Sequence, residues 1–248
     1  MRPVNRFRKK PRQPVLAPGR APGPLPTCPA CLKRVELCVC AEIETIDNPV
    51  FVLILQHPQE QDRDLGTARI LAMQLKHSRL AVGLSWRSLD AALAGALGRA
   101  ADPGRWAVLY LGAAAEAGDK SAPLLLLDSK GAPLAGQAGA CAALEGIILL
   151  DGNWSQAKAL WWRNPWLLRV RRIRLNPDFR SLYGKLRREP RRESLSTLEA
   201  GAFALSVLSS NPKILPHLLR PFQALLGKYR VLAQPSLNVT VANPETDD

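Results

Sequence analysis

The chain has 248 residues, 47% of them hydrophobic, and a formal net charge of +13. This length and apolar content allow a full core and exclude a disordered chain, and runs of roughly 18 apolar residues, as a membrane helix needs, do not occur. The positive charge would attract a polyanion, and nucleic acid is the natural candidate, although many basic proteins bind none.

The first 26 residues contain seven Lys or Arg and no acid, and they are rich in proline. This composition predicts a disordered basic arm, either a linker or an additional contact to phosphate. It resembles neither a signal peptide nor an anchor, so we expect a cytoplasmic protein without a membrane segment.

The remainder divides into a small zinc knuckle at 27–45, an α/β domain at 46–235 and a frayed tail at 236–248. Continuous apolar runs predict a parallel sheet covered by helices on both faces. The predicted strands are 50–57, 106–111, 123–128, 147–151 and, as an edge or half-exposed strand with alternating arginines, 170–175. The predicted helices are 66–80, 89–100, 155–162, 195–208 and 213–226, with a loop or frayed helix between 128 and 145.

Four of the five cysteines lie within 13 residues, as Cys28-x2-Cys31 followed by Cys38-x-Cys40. Four thiolates at such spacing suit tetrahedral Zn²⁺, and a site closed by four protein ligands is structural rather than catalytic. Redox-active or simply reduced thiols remain the alternative. Cys141 stands alone and is expected to be a small core residue.

A strongly basic segment follows at 163–192, with eleven Lys or Arg against two acids. We expect it to bind RNA phosphates, although a solvated loop would also be basic. Trp161, Trp162, Trp166 and Tyr183 lie nearby and would either stack on bases or pack in the core. The candidate RNA-binding residues are Arg171, Arg172, Arg174, Arg180, Lys185, Arg187, Arg188, Arg191 and Arg192.

An ordered set of motifs between residues 28 and 226 resembles the DTW-domain family. Besides the cysteine cluster, the motifs are Gln56-His57-Pro58-Gln59-Glu60 with Arg63, Gly66-Thr67-Ala68-Arg69, Leu150-Asp151-Gly152-Asn153-Trp154, Ser181-Leu182-Tyr183 and Leu195-Ser196-Thr197-Leu198-Glu199-Ala200. The family's naming motif is Asp-x-Thr-Trp, and this chain departs from it by having Asn153 in place of threonine.

The resemblance implies a tRNA-uridine aminocarboxypropyltransferase that uses S-adenosylmethionine. It also implies a SPOUT-like α/β fold, in which a C-terminal trefoil knot holds the cosubstrate in a bent conformation. The tRNA is the implied partner, and bacterial relatives suggest a uridine of the variable loop. Whether the protein is a monomer or a homodimer stays open.

Asp151 ends the strand GIILLD, where ligands gather in open α/β sheets, and a carboxylate there would act as general base toward uridine N3. The alternative is that Asp151 merely caps the following helix. Trp154 would line the cofactor or uracil pocket or pack in the core. By resemblance, S-adenosylmethionine would be surrounded by the backbone near Thr67, Leu150, Leu175, Leu195 and Thr197.

Several residues in these motifs have ordinary structural roles to consider. Ser196 and Glu199 form the pattern of a capping box, and the amides of that helix start would also suit the cosubstrate's carboxylate. Arg63 and Arg69 would reach phosphate or carboxylate, or remain solvated. Two rival functions remain: an RNA-binding zinc protein without catalysis, and an rRNA-directed aminocarboxypropyltransferase or a methyltransferase.

Overall fold

The computed structural model describes residues 26–61, 63–109, 122–184, 186 and 195–233. Nearly all of the predicted basic arm and the whole of the predicted tail at 236–248 lie outside these residues. The described part is an α/β fold built on one sheet of six strands, in the order β2-β1-β5-β3-β6-β4. The strands are Phe51–Gln56 (β1), Ser78–Val82 (β2), Trp106–Leu109 (β3), Leu124–Leu127 (β4), Gly146–Asp151 (β5) and Arg171–Leu175 (β6).

The sheet is parallel from β2 through β6, as predicted, but β4 runs antiparallel to β6. The expectation of a parallel sheet is therefore wrong for this one edge strand. The strand predicted at 170–175 is half-exposed, as one of the two predictions states, but it is not an edge strand. β6 lies between β3 and β4, and only Ile173 among its five residues is buried.

Six α-helices flank the sheet within the described residues. They are Ala68–Met73 (α1), Leu89–Leu93 (α2), Gln137–Ala142 (α3), Trp154–Arg163 (α4), Thr197–Leu208 (α5) and Ile214–Ala233 (α6). None of the described helices combines the length and the apolar character that crossing a membrane requires.

Two predicted helices are shorter in the structure. The helix predicted at 66–80 ends at Met73, and its last three residues belong to β2, which pairs with β1. The helix predicted at 89–100 ends at Leu93 because Ala94 and Gly95 take left-handed backbone angles, with φ of 44° and 80°. Such angles end a right-handed helix.

The two faces of the sheet carry separate cores. On one face, β1 and β5 pack against α1, α5, α6 and the cysteine-rich segment; on the other, they pack against α2 and α4. Gly146 begins β5 where a Cβ atom would meet the Trp106 ring at 2.4 Å. The large indole therefore fills the second core only because residue 146 has no side chain.

Candidate functional site

Asp151 and Gln56 are paired in register at the carboxyl ends of the central strands β5 and β1. The Gln56 amide donates a hydrogen bond to Asp151 Oδ2 at 2.9 Å, and the Thr197 hydroxyl donates to Oδ1 at 2.5 Å. The side chains thus come from three distant segments of the chain. Because both carboxylate oxygens accept a hydrogen bond, the carboxylate is held in one orientation, with 7% of the residue exposed.

The helix that follows Asp151 is capped by Asn153, so the alternative in which Asp151 serves as the cap is wrong. Asn153 Oδ1 accepts from the Gln156 amide at 3.0 Å, and Gln156 Oε1 accepts from the Asn153 amide at 2.6 Å. Asparagine and threonine both serve as N-caps. The departure from the family motif therefore preserves a cap at this position.

The start of α5 closes the site from the other side. Its capping box of Ser196 and Glu199 is present, as the sequence predicted. The Leu198 amide donates to Thr67 Oγ1 at 3.3 Å and the Glu199 amide donates to Ser196 Oγ at 3.1 Å. Two amides of this helix start are thus engaged within the protein, which leaves fewer of them for an external carboxylate.

The residues predicted to surround the cosubstrate are distributed along one edge of the sheet. Leu150 precedes Asp151 in β5, Thr67 contacts the start of α5, and Leu195 and Thr197 flank its N-cap. Leu175 ends β6, two strands away from β5 but at the same carboxyl edge, because these strands are parallel. Their predicted role in binding stays a prediction.

Glu199 does more than cap its helix. It is fully buried, its Oε2 accepts from the Ser181 hydroxyl at 2.8 Å and from the Ser196 amide at 2.7 Å, and its Oε1 accepts from the Leu182 amide at 2.6 Å. The Ser181-Leu182-Tyr183 motif is thereby fixed to α5. Tyr183 in turn donates to the Leu65 carbonyl at 2.7 Å.

Four further residues of the motifs differ in their contacts and exposure. His57 donates its backbone amide to the Asp151 carbonyl at 2.9 Å, and its Nδ1 accepts from the Gln59 amide at 3.3 Å. Trp154 is the half-buried first residue of α4. Arg63 has 63% of its side chain exposed, and Arg69 is half-buried on α1.

Sequence reasoning missed Lys33, which lies in the cysteine-rich segment and is only 4% exposed. Its ammonium donates to the Arg63 carbonyl at 2.5 Å. Burial lowers the pKa of Lys33 to about 8, against the opposing influence of Cys31, Asp64 and Asp151. The lysine therefore connects the cysteine-rich segment to the loop that follows β1. Arg34 adds a bidentate pair with Asp64 at 2.9 and 3.1 Å.

The four clustered cysteines bring their sulfur atoms within 4.8 Å of one another. The Sγ atoms of Cys28 and Cys40 are 3.6 Å apart, and those of Cys31 and Cys38 are 3.8 Å apart. Disulfide sulfurs would lie about 2.05 Å apart, whereas thiolates about 2.3 Å from a tetrahedral Zn²⁺ lie about 3.8 Å apart. The cluster therefore has the spacing of a metal site.

The cluster also contains a thiol that ionises readily. Hydrogen bonds with the backbone of Cys31 and Ala30 lower the pKa of the Cys28 thiol to about 6, whereas burial raises the pKa of Cys40. Cys141, predicted to be a small core residue, is only half-buried and packs against the first core rather than within it.

The structure separates the basic segment's aromatic side chains into buried and exposed groups. Trp166 and Tyr183 are core residues, with 8% and 2% exposed, and Trp161 is half-buried with the Arg172 guanidinium 5.5 Å from its ring centre. Trp162 has 74% exposed. The core alternative therefore applies to two of the four aromatic residues.

The predicted RNA-binding arginines begin in β6. Arg171, Arg172 and Arg174 are half-buried in that strand, and Arg180 is exposed beyond it. Arg171 donates to the Ala140 carbonyl at 3.2 Å. The other predicted RNA-binding residues, Lys185, Arg187, Arg188, Arg191 and Arg192, lie outside the described residues.

These motifs all lie within the span of one known protein domain. A model of the DTW domain matches residues 25–230. The chain belongs to the DTW-domain family. It is 32% identical over 202 residues to the mouse protein named tRNA-uridine aminocarboxypropyltransferase 2, and 31% identical over 206 residues to the Drosophila melanogaster protein of the same name.

These alignments cover 81% and 82% of this chain, and 62% and 74% of the two relatives. The chain thus spans somewhat less than two thirds of the mouse protein's length. No solved structure matches it at a comparable level of significance.

Proposed function

We propose that this DTW-domain protein transfers the 3-amino-3-carboxypropyl group of S-adenosylmethionine to N3 of a uridine in tRNA, releasing 5′-methylthioadenosine. The family and the names of the relatives support a tRNA-uridine aminocarboxypropyltransferase. The observation that carries the proposal is the Asp151 carboxylate, oriented by Gln56 and Thr197 at the carboxyl edge of the sheet.

The chemistry needs a base at this position. Uridine N3 becomes a nucleophile when it loses its proton, and Asp151 would accept that proton as general base. N3 then forms a bond to the carbon at the end of the aminocarboxypropyl chain. The bond from that carbon to sulfur breaks, and its electron pair remains on sulfur, which becomes a neutral thioether. Gln56 and Thr197 hold the Asp151 carboxylate in an orientation that faces the uracil during the transfer.

S-adenosylmethionine supplies an electrophilic carbon next to a sulfonium. We assign its surroundings to the backbone near Thr67, Leu150, Leu175, Leu195 and Thr197. The convergence of the β1, β5 and α5 segments around Asp151 supports this assignment. The trefoil knot that the family resemblance implies would bring the C-terminal segment to the same edge, and it stays a prediction.

We propose that Cys28, Cys31, Cys38 and Cys40 hold a structural Zn²⁺. Their spacing supports four sulfur ligands, which leave no position for substrate. The ion would stabilise a segment that is too short to form its own core. Unpaired thiols and a tRNA substrate both favour a reducing compartment such as the cytoplasm.

The test uses unmodified tRNA and S-adenosylmethionine labelled either in the methyl group or in the amino-acid chain. Label that enters tRNA only from the amino-acid chain supports the proposal. Label from the methyl group identifies a methyltransferase, and tight tRNA binding without any transfer identifies the non-catalytic alternative. The same assay with rRNA distinguishes the remaining rival.

A further inference from the structure

The side chain of Trp162 has no role in the proposed reaction. It lies near the end of α4 with 74% of its surface exposed. Isolated exposed hydrophobic residues are common and need no ligand by themselves. What distinguishes Trp162 is its position in a basic helix that begins beside the candidate base.

The exposed residues of α4 form a stripe along the helix. Ser155, Lys158 and Trp162 are exposed and lie three and four positions apart, which places them on one face. Arg163 is exposed next to them. The opposite side of α4 packs into the second core through Ala157 and Leu160.

The charge of this region fits a phosphate backbone. From residue 152 to residue 177 the chain has six Lys or Arg and no Asp or Glu. Ile173 faces the first core, so Arg172 and Arg174 project from the other side of β6, the side on which α4 packs. One cation of β6 lies beside α4, because the Arg172 guanidinium is 5.5 Å from the ring centre of Trp161.

The end of α4 is held in place, which fixes the backbone that carries Trp162. Asn164 is fully buried, and its Nδ2 donates to the carbonyls of Leu84 and Leu160 at 3.1 and 2.7 Å. Its Oδ1 accepts from the Trp86 amide at 2.8 Å. A contact that is ordered before binding loses less entropy when a ligand arrives.

The distance along the helix suits a short stretch of RNA. α4 begins three residues after Asp151, and Trp162 lies about 12 Å along the helix axis from Trp154 at about 1.5 Å per residue. Stacked nucleotides rise about 3.4 Å each, so this distance corresponds to roughly three or four nucleotides. Exposed aromatic rings stack on unpaired bases of any sequence.

We propose that the exposed stripe of α4 binds the RNA strand next to the modified uridine, and that Trp162 stacks on an unpaired base a few nucleotides away from it. Lys158 and Arg163 contact the phosphates of the same strand. This inference rests on the proposed function, because it takes tRNA as the substrate and Asp151 as the reacting position.

The test compares Trp162→Ala with Trp162→Phe in the complete protein, under multiple turnover with varied tRNA. Loss of the ring should raise the tRNA concentration for half-maximal rate on the order of 5- to 150-fold and leave the rate at saturating tRNA unchanged. Phenylalanine also stacks, so Trp162→Phe should retain most of the affinity. Val231→Ala is the matched control, because Val231 is 70% exposed on α6, which packs on the opposite face of the sheet.

The salt dependence of tRNA affinity distinguishes base stacking by Trp162 from phosphate contacts by charged side chains. Trp162→Ala should leave the slope of log affinity against log salt unchanged, whereas Lys158→Ala should reduce its magnitude by about 0.7 for one phosphate of a single strand. Equal tRNA affinity for Trp162→Ala and wild type overturns the inference while wild-type transfer still supports the proposed function. A Trp162-dependent dimer with unchanged tRNA affinity, seen by sedimentation, also overturns it and assigns the face to a second copy of the chain.

Discussion

The Gln56 amide and the Asp151 carboxylate hydrogen-bond at 2.9 Å across neighbouring parallel strands, although 95 residues separate them in the chain. Each side chain ends an otherwise apolar buried strand. Together with the Thr197 hydroxyl on Oδ1, the amide determines where the carboxylate can meet a substrate. Changes at these positions are the most direct tests of the proposed chemistry.

Asp151→Asn removes the base but keeps a side chain of the same shape. We expect the rate of aminocarboxypropyl transfer to fall about 10²- to 10⁴-fold, the usual contribution of a general base. Single-turnover transfer with labelled cosubstrate measures it, and tRNA affinity should persist. A variant that transfers at the wild-type rate would exclude Asp151 as the base, and thermal unfolding provides the check on folding.

Gln56→Leu and Thr197→Val each remove one donor to the carboxylate. A hydrogen bond to a charged group contributes about 1.5–3 kcal/mol, so the maximal rate should fall roughly 10- to 150-fold if this orientation is needed. The half-saturating tRNA concentration should not change. Thr197→Ser keeps the hydroxyl and should restore the rate, whereas an equally slow serine variant would point to packing instead.

Glu199→Ala should destabilise the protein more than the loss of an ordinary cap. The buried carboxylate accepts three hydrogen bonds, and unsatisfied buried donors cost about 1–3 kcal/mol each. We expect a loss of about 3 kcal/mol or more in the free energy of unfolding, measured by urea denaturation.

The matched control is Asn153→Ala, which removes the exposed cap of α4. Its expected cost is about 1 kcal/mol, and Asn153→Thr, which restores the family's residue, should be nearly neutral. Equal losses for Glu199→Ala and Asn153→Ala would show that Glu199 acts only as a cap.

Removal of metal from the cysteine cluster should reduce transfer activity. Lys33 and Arg34 fix the cysteine-rich segment to the loop after β1, so loosening of this segment would disturb that loop. We expect one Zn²⁺ per chain by elemental analysis. Chelation or Cys38→Ser should release it and expose the segment to protease, and acid should do the same because the bound thiols must be deprotonated.

The control for the cluster is Cys141→Ala, which should retain the metal because Cys141 is not part of the four-sulfur group. A metal-free protein that resists protease as well as the metal-loaded form would contradict a structural role for the ion.

Arg180→Ala should weaken tRNA binding through charge alone, because Arg180 is exposed beyond β6. The slope of log affinity against log salt should lose about 0.7–0.9 in magnitude for one phosphate contact. Arg230→Ala, an exposed arginine on α6, is the control and should leave the slope unchanged. An identical slope for Arg180→Ala and wild type would remove Arg180 from the RNA interface.

The sequence predicted the two central strands well because FVLILQ and GIILLD are continuous apolar runs that each end in a polar residue. It also predicted the cysteine cluster and the capping box at Ser196 and Glu199, which depend on local spacing. β2 was missed because its side chains are half-buried on both faces and so lack the alternation of an exposed strand. The four leucines of β4 contain no information about strand direction.

The contacts of the candidate site could not be predicted because they join distant segments. No local pattern indicates that Gln56 faces Asp151 or that Lys33 is buried beneath the loop after β1. Whether Asp151 is a base or a helix cap was also undecided, since aspartate is a good N-cap and only the backbone path shows that Asn153 takes this position.

The cysteine-rich segment near the beginning of the chain depends on the last described helix. Lys228 donates to the Cys38 carbonyl, Arg220 pairs with Glu44, and Leu218 and Phe222 fill the core beneath. During synthesis on the ribosome, the cysteine-rich segment emerges before α6, so its surroundings are complete only once α6 has been made. A nascent chain interrupted before residue 214 would leave that apolar surface open to aggregation, even if its thiols had already captured an ion.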